Sequence, residues 1–547
     1  MPQRLLAPDL ILINGHVRTM DAHGLVATAV AIKDGRFVAV GSNDEIRALA
    51  GPATRLDDLA GATVIPGIID AHNHLLSTGQ TLSQVALYDC RSIPEVLDRV
   101  AARAALTPPG RWITGRGWDE SLLAEERHPS RAELDGAAPD NPVVLHRVWN
   151  KLVANSAALR LARITRASPD PSPDVPYAGS FDRNQDGEPT GLFRDRAKAL
   201  ITGQIPPPSE DELVEAIATA CAAYNAAGIT AVAEPGLYPH QIRAFHRASG
   251  EGSLTVRTEM LLAGWGFGPA AEEAELTERF AAIGVMGGFG DDLLRLGGVK
   301  LMPDGGISDR TARMSQPYLD EPANFGTWII TPERLTHLIR WIHDLGWAID
   351  THTCGDEAQA VTVRAYVAAQ IASPKPHLRH RVHHAYLPDP NTIRLMAEHA
   401  IPALVSAPFL ATLGEGFVNA IGPERAAMVM PMRSYLDAGV GLASTSDAPI
   451  TDYNPWIGMR AAANRETVEG RLLGPEEAIT PAEALRSYTL GGAEALGRAS
   501  TLGSITPGKL ADLVVLDADP FDVDPTTMGT IRPLATLLGG RWVFDRR

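Results

Sequence analysis

The middle of the chain alternates short apolar runs with longer amphipathic stretches. The apolar runs are VIPGIID (64–70), GITAVAE (228–234), LTVRTEMLL (254–262), LLRLGGVKLM (293–302), WAIDTH (347–352), LRHRVHHAY (378–386), IPALVSA (401–407) and VGLASTSD (440–447). Segments with helical spacing lie between them, such as 211–228 and 331–346. Strand-length runs separated by helix-length stretches predict βα units and a parallel sheet. Eight is the number that closes a (β/α)8 TIM barrel, so the fold class is α/β. A doubly wound open sheet is the alternative.

Both ends of the chain read differently. Residues 9–40 are short β segments, with Asp34-Gly35 as a hairpin turn between AVAI and RFVAV. Residues 503–517 and 534–545 are again short β segments punctuated by glycine. The two ends are therefore expected to pair into one small β domain, 1–62 plus 498–547, around a barrel spanning 63–497. The spacing within the barrel is uneven once. From His74 to Gly228 is 228 − 74 = 154 residues, whereas a βα unit takes roughly 30. An insertion lobe of about 80–205 after the first strand accounts for the difference.

Composition narrows the function classes. The chain has 547 residues, 45% of them hydrophobic and 21% charged, which excludes a disordered or fibrous protein. Its 49 Lys+Arg against 65 Asp+Glu leave a net charge of −16. That balance argues against a nucleic-acid partner or an anionic membrane, both of which need a basic face. Three cysteines (Cys90, Cys221, Cys354) form no disulfide framework and suggest a reducing compartment. The N-terminal apolar stretch is broken by Pro8, Asp9 and Asn14, and no run approaches the about 20 residues that span a bilayer. A cytoplasmic protein is expected.

Candidate chemistry gathers at strand ends. His72 and His74 follow VIPGII, and at strand period two they point to one side. Both can then reach one ion at about 2.0–2.1 Å. Lys300, His352, His384 and Asp447 fall late in the fourth, fifth, sixth and eighth runs. In a barrel these ends meet at the C-terminal mouth, where barrel active sites lie. Imidazoles and a carboxylate assembled there predict a divalent-metal site. Lys300 is the odd member, because a protonated ammonium has no lone pair to give. It is either a salt bridge or anion clamp, or a lysine carboxylated by carbon dioxide, whose carbamate oxygens can bridge two cations.

DAHNH after VIPGII, the strand-end lysine, two later histidines and a late SD pattern resemble the amidohydrolase superfamily. GRGWDE, NSAAL, PTGL, VKLMPDGGISDRTA, HTCGDEA, STSDAP and GSITPGKLADLVVLD are similar to its family 3 branch, which includes N-substituted formamide deformylase-like and YtcJ-like proteins. The resemblance covers nearly the whole chain. It implies a (β/α)8 barrel with a composite β-sandwich from both termini. It also implies two divalent ions, zinc before manganese, iron or cobalt, held by His72, His74, carboxylated Lys300, His352, His384 and Asp447. His72, His74 and Asp447 would hold the more buried ion, and His352 and His384 the second, with the carbamate between. Relatives often carry Glu before the second imidazole, where this chain has His383. Alignment selects His384 as the ligand, since strand alternation turns only one of the pair inward.

The implied reaction is hydrolysis of a C–N bond by a metal-activated hydroxide, with Asp447 as proton shuttle. Substrates in scope are small amide-like molecules: N-substituted formamides, N-acyl amines, carbamates and cyclic imides. Two alternatives are a mononuclear aminohydrolase that deaminates a heterocycle, and a non-catalytic barrel scaffold. Trp118, Asp304, Tyr453 and Trp456 are candidate substrate contacts, with core packing or turn formation as the competing role of each. Cys354, two residues after His352, suggests a thiol nucleophile or an extra ligand, but it has no distinct partner base and reads as structural. A homodimer is expected from the family.

Overall fold

The structure is a computed structural model that describes residues 7–118, 120, 123–147, 151–171, 179–264, 278, 280, 282 and 284–547. It divides into two compact units, one formed by residues 1–78 with 217–547 and the other by 79–216.

The first unit is built around eight parallel strands, β1 (Ile68–Asp70), β2 (Ile229–Leu237), β3 (Arg257–Ala263), β4 (Leu294–Leu301), β5 (Ala348–His352), β6 (Arg381–His383), β7 (Ala403–Val405) and β8 (Leu442–Ser444). Each pairs with the next in chain order. Past the ends of β8 and β1, Ala71 N–H donates to the Ser444 carbonyl at 3.4 Å and Asp447 N–H to the His72 carbonyl at 3.0 Å. These bonds bring the last strand back to the first, giving a (β/α)8 barrel. Strands buried on both faces explain the near-continuous apolar runs.

The covering helices follow from local signals. In Pro332–Asp344, the Thr331 side chain accepts from Arg334 N–H and Pro332 occupies the first turn. Leu335, Leu338, Ile339 and Ile342 then form the buried stripe.

The run VIPGIID, expected as one barrel strand, is two strands. Thr63–Pro66 pairs with Leu513–Leu516 in a six-stranded sheet made from both chain ends, and only Ile68–Asp70 enters the barrel. The terminal β region thus runs through Pro66, beyond the expected boundary at 62. Gly67 makes the break: a Cβ there would lie 2.1 Å from Thr230 Oγ1. A four-stranded sheet containing Leu10–Ile13 and Ala29–Lys33 shares one core with the six-stranded sheet, through Leu10, Val30, Val64, Leu513 and Leu537. Arg257 of β3 is tied to Asp512 beside that sheet by a buried ion pair at 2.6 Å.

The second unit has its own six-stranded mixed sheet and its own core of Val96, Val100, Leu134, Val143 and Leu145. It spans 79–216, slightly more than the expected 80–205. No helix among the described residues is long and apolar enough to cross a membrane.

Candidate metal centre

His72 and His74 lie just past β1, and Asp447 three residues past β8. The Nε2 atoms of His72 and His74 are 3.0 and 3.3 Å from the same oxygen, Asp447 Oδ1. That oxygen nevertheless has no hydrogen-bond partner among the described residues, and neither do His72 Nδ1 and His384 Nδ1, all of them buried. Buried polar atoms are normally paired, and clustered exceptions point to a missing ion or water. Donors at 2.0–2.1 Å around a tetrahedral ion stand about 3.3 Å apart. The spacing of these three groups is that of ligands converging on one cation, so the residues fit a divalent metal.

A second donor group faces the first. His352, Cys354 and His384 each offer an atom, all within 4.8 Å of one another. The His352 and His384 rings are 4.6 Å apart, and the His72 and His384 rings 5.6 Å. His352 Nε2 lies 3.0 Å from the Gly305 carbonyl, which takes its proton and leaves the Nδ1 lone pair.

The expectation that only one of His383 and His384 turns inward is corrected. β6 ends at His383, and His384 adopts φ 67°, in the left-handed region. The chain reverses there, so alternation stops and both rings approach His72, at 4.2 and 5.6 Å. Asp447 is also left-handed, with φ 54°. Non-glycine residues in this region are uncommon and concentrate at functional sites. The two imidazoles have different partners. His383 Nδ1 contacts Lys300 Nζ at 2.9 Å and its Nε2 contacts Asp350 Oδ1 at 2.5 Å, so both nitrogens are engaged.

Electrostatics separate the groups. Burial pushes the Lys300 amine down to about 8. Burial and the Lys300 charge lower His352 to about 4. Burial holds His72 and His384 well below the usual imidazole range. Burial opposes ionisation of Asp447, but the facing His72 and His74 outweigh it and keep the carboxylate charged.

Several positioning residues escaped the sequence reading. Asp70 is fully buried, and burial raises its carboxyl to about 6. It accepts from Ser446 N–H at 3.0 Å, from Ser446 Oγ at 2.5 Å and from Asn73 Nδ2 at 2.9 Å. It therefore fastens the HNH segment to the SD segment. Tyr224 Oη–H donates to Asn73 Oδ1. Glu234, at the mouth end of β2, accepts the Leu75 N–H that follows His74. Asp350 sits in the run that yielded His352 and Glu234 ends the second run, which yielded no candidate; an acid late in an apolar strand run was the available signal.

The four candidate substrate contacts fall in different places. Trp118 is fully buried in the core of the 79–216 unit, its indole N–H donating to the Leu145 carbonyl at 3.3 Å. Of the two roles open to Trp118, the structure places it in core packing. Asp304 accepts from Arg313 N–H at 2.9 Å and Gly355 N–H at 2.8 Å, and lies 3.6 Å from His352 Nε2. It holds the His352–Gly355 turn. Tyr453 packs on Tyr224 at 5.3 Å and, with the buried Trp456, lines a cleft also bounded by Ala223, Arg532 and Arg546. None of the six metal candidates lines that cleft.

Fold and donors together define a barrel protein with a candidate divalent-metal site at the strand ends. The profile described as the amidohydrolase family matches residues 55–544, and the chain belongs to that family, metal-dependent hydrolases that act on carbon–nitrogen bonds. It is 32% identical to N-substituted formamide deformylase of Arthrobacter pascens, over 98% of both chains. It is 28% identical to the putative amidohydrolase YtcJ of Bacillus subtilis (strain 168), over 97% of this chain and 98% of the other. Among solved structures, an uncharacterized metal-dependent hydrolase from Pyrococcus horikoshii OT3 matches with TM-score 0.76 and 26% identity, covering 94% of this chain and 99% of that one.

Proposed function

We propose that this chain hydrolyses the C–N bond of a small amide-like substrate at two divalent ions, most suitably zinc, with N-substituted formamides as the first class to test. N-acyl amines, carbamates and cyclic imides complete the range. The observation that carries the reading is the pair of facing donor groups, His72–His74–Asp447 and His352–His384, with the buried Lys300 amine in the same site. The 32% identity to a formamide deformylase supports the substrate class.

In this reading His72, His74 and Asp447 hold one ion and His352 and His384 the other. Lys300 would join the donor set as a carbamate, which forms when the neutral amine adds to carbon dioxide and releases a proton. A lysine lowered to about 8 by burial supplies neutral amine near neutral pH. The hydrogen bond to His383 Nδ1 suits either form, because a carbamate nitrogen keeps one N–H. Bound ions supply Lewis acidity to the substrate carbonyl and lower the pKa of a water. Asp447 takes the proton of the water that attacks the carbonyl carbon. It then delivers that proton to the leaving nitrogen as the C–N bond breaks, releasing acid and amine. Asp70, Asn73 and Ser446 keep the two ligand-bearing loops in register.

The test is turnover of zinc-loaded protein on a panel of formamide, N-acyl amine, carbamate, imide and aminoheterocycle. Release of formate and amine is the expected result. Ammonia release from the aminoheterocycle alone overturns it in favour of deamination.

A further inference from the structure

We infer that the Cys354 thiolate is a third protein donor to the ion held by His352 and His384, making that half of the site a His–Cys–His set. This rests on the two-ion reading above.

Cys354 stands two residues after His352, just past the end of β5, the spacing His74 has from His72 just past β1. Each pair converges in space: the ligand atoms of His352 and Cys354 lie within 4.8 Å of one another, as do those of His72 and His74. The turn is fixed by Asp304, whose carboxylate accepts from Cys354 N–H at 3.3 Å and Gly355 N–H at 2.8 Å. Gly355 allows the close approach, since a Cβ there would lie 1.9 Å from the Arg313 carbonyl. The thiol is 4% exposed and unbridged.

The independent observation is His384. Its ring is 4% exposed and its Nδ1 has no hydrogen-bond partner among the described residues. Its ligand atom lies within 4.8 Å of both the thiol and the donor of His352. His352 has its Nε2 on the Gly305 carbonyl, which leaves Nδ1 as the acceptor. Two imidazoles with lone pairs to give and a thiol therefore share one buried space. Zn–N at 2.0–2.1 Å and Zn–S at about 2.3 Å place tetrahedral donors about 3.3–3.6 Å apart, against separations of at most 4.8 Å here. A thiolate also changes selectivity. The His72–His74–Asp447 half carries nitrogen and oxygen donors, whereas a sulfur donor favours zinc or cobalt over manganese or magnesium.

The experiment uses full-length protein reconstituted with Co(II), read by near-ultraviolet absorption and metal content. Two ions per chain with a thiolate-to-cobalt charge-transfer band is the expected result. The band should survive in Cys90→Ala and Cys221→Ala and vanish in Cys354→Ser. Cys354→Ala should weaken retention of one ion by at least the about 10–100-fold that loss of an outer hydrogen-bond partner costs. Two ions with no band in the wild-type protein overturns the inference and leaves the two-ion reading standing. One ion with the band overturns the two-ion reading and keeps the thiolate ligand. One ion with no band overturns both. The wild-type spectrum decides even if a variant fails to fold.

Discussion

Lys300 Nζ lies 2.9 Å from His383 Nδ1, and His383 Nε2 lies 2.5 Å from Asp350 Oδ1. The histidine between them offers no lone pair for a metal, because Lys300 donates to one nitrogen and the other donates to a carboxylate. His383 thus connects the lysine of β4 to the acid of β5. Carboxylation should be visible as a carbamate resonance when the wild-type protein is loaded with metal in labelled bicarbonate. Lys300→Arg should lack that resonance and lose one ion per chain by metal analysis. Retention of both ions by Lys300→Arg would remove the bridging role.

Asp447 combines a charged carboxylate with two imidazoles on one of its oxygens. Asp447→Asn keeps the side-chain shape and removes the proton acceptor. Turnover should fall by about 10²–10⁴-fold, with an unchanged melting temperature of the metal-free protein. Steady-state kinetics with parallel metal analysis separates proton transfer from loss of an ion. Near-wild-type turnover would rule Asp447 out as the shuttle.

His380 supplies a pH dependence away from the metal donors. Its Nδ1 accepts from Ile349 N–H at 3.2 Å, its Nε2–H donates to His343 Nδ1 at 2.8 Å, and His343 Nε2–H donates to the Ser373 carbonyl at 2.6 Å. The chain of bonds needs a neutral His380, and burial lowers its pKa from 6.5 to about 3. As pH falls, the unfolded chain takes up this proton first. The stabilisation is therefore complete above 6.5 and is lost progressively down to about 3. At about 1.4 kcal/mol per pH unit, some 2 kcal/mol should disappear between neutral pH and about pH 5. Urea denaturation of His380→Gln should show a correspondingly flatter pH profile. An identical slope in both proteins would refute the assignment.

Arg381 is 1% exposed and pairs with Asp350 at 2.5 Å and with Glu259 at 2.8 Å. Arg381→Met leaves the buried Asp350 without its guanidinium and Glu259 with Arg295 alone, which should cost about 3–5 kcal/mol. Chemical denaturation at neutral pH measures it. A change below about 1 kcal/mol would mean that the carboxylates protonate or find other partners.

Local pattern carried much of the architecture. The eight apolar runs each contribute a barrel strand because a parallel strand covered on both faces must be apolar throughout. Asp34 and Gly35 both have positive φ, at 48° and 72°, as the expected hairpin between Ala29–Lys33 and Arg36–Gly41 requires. Trp118 shows the limit of such reading. Nothing in GRGWDE says whether the ring meets solvent or core, and long-range packing against Val143 and Leu145 decides it.

The order of residues alone determined where candidate donors can stand: at strand ends, two apart in HNH, because the strand period places alternate side chains on one face. Only the folded chain decided which atoms meet. The division of VIPGIID between two sheets depends on Leu513–Leu516, far along the chain, pairing with Thr63–Pro66. The convergence of His383 and His384 depends on a left-handed residue that ends a strand, a reversal set by the loop it enters and invisible to a period-two pattern.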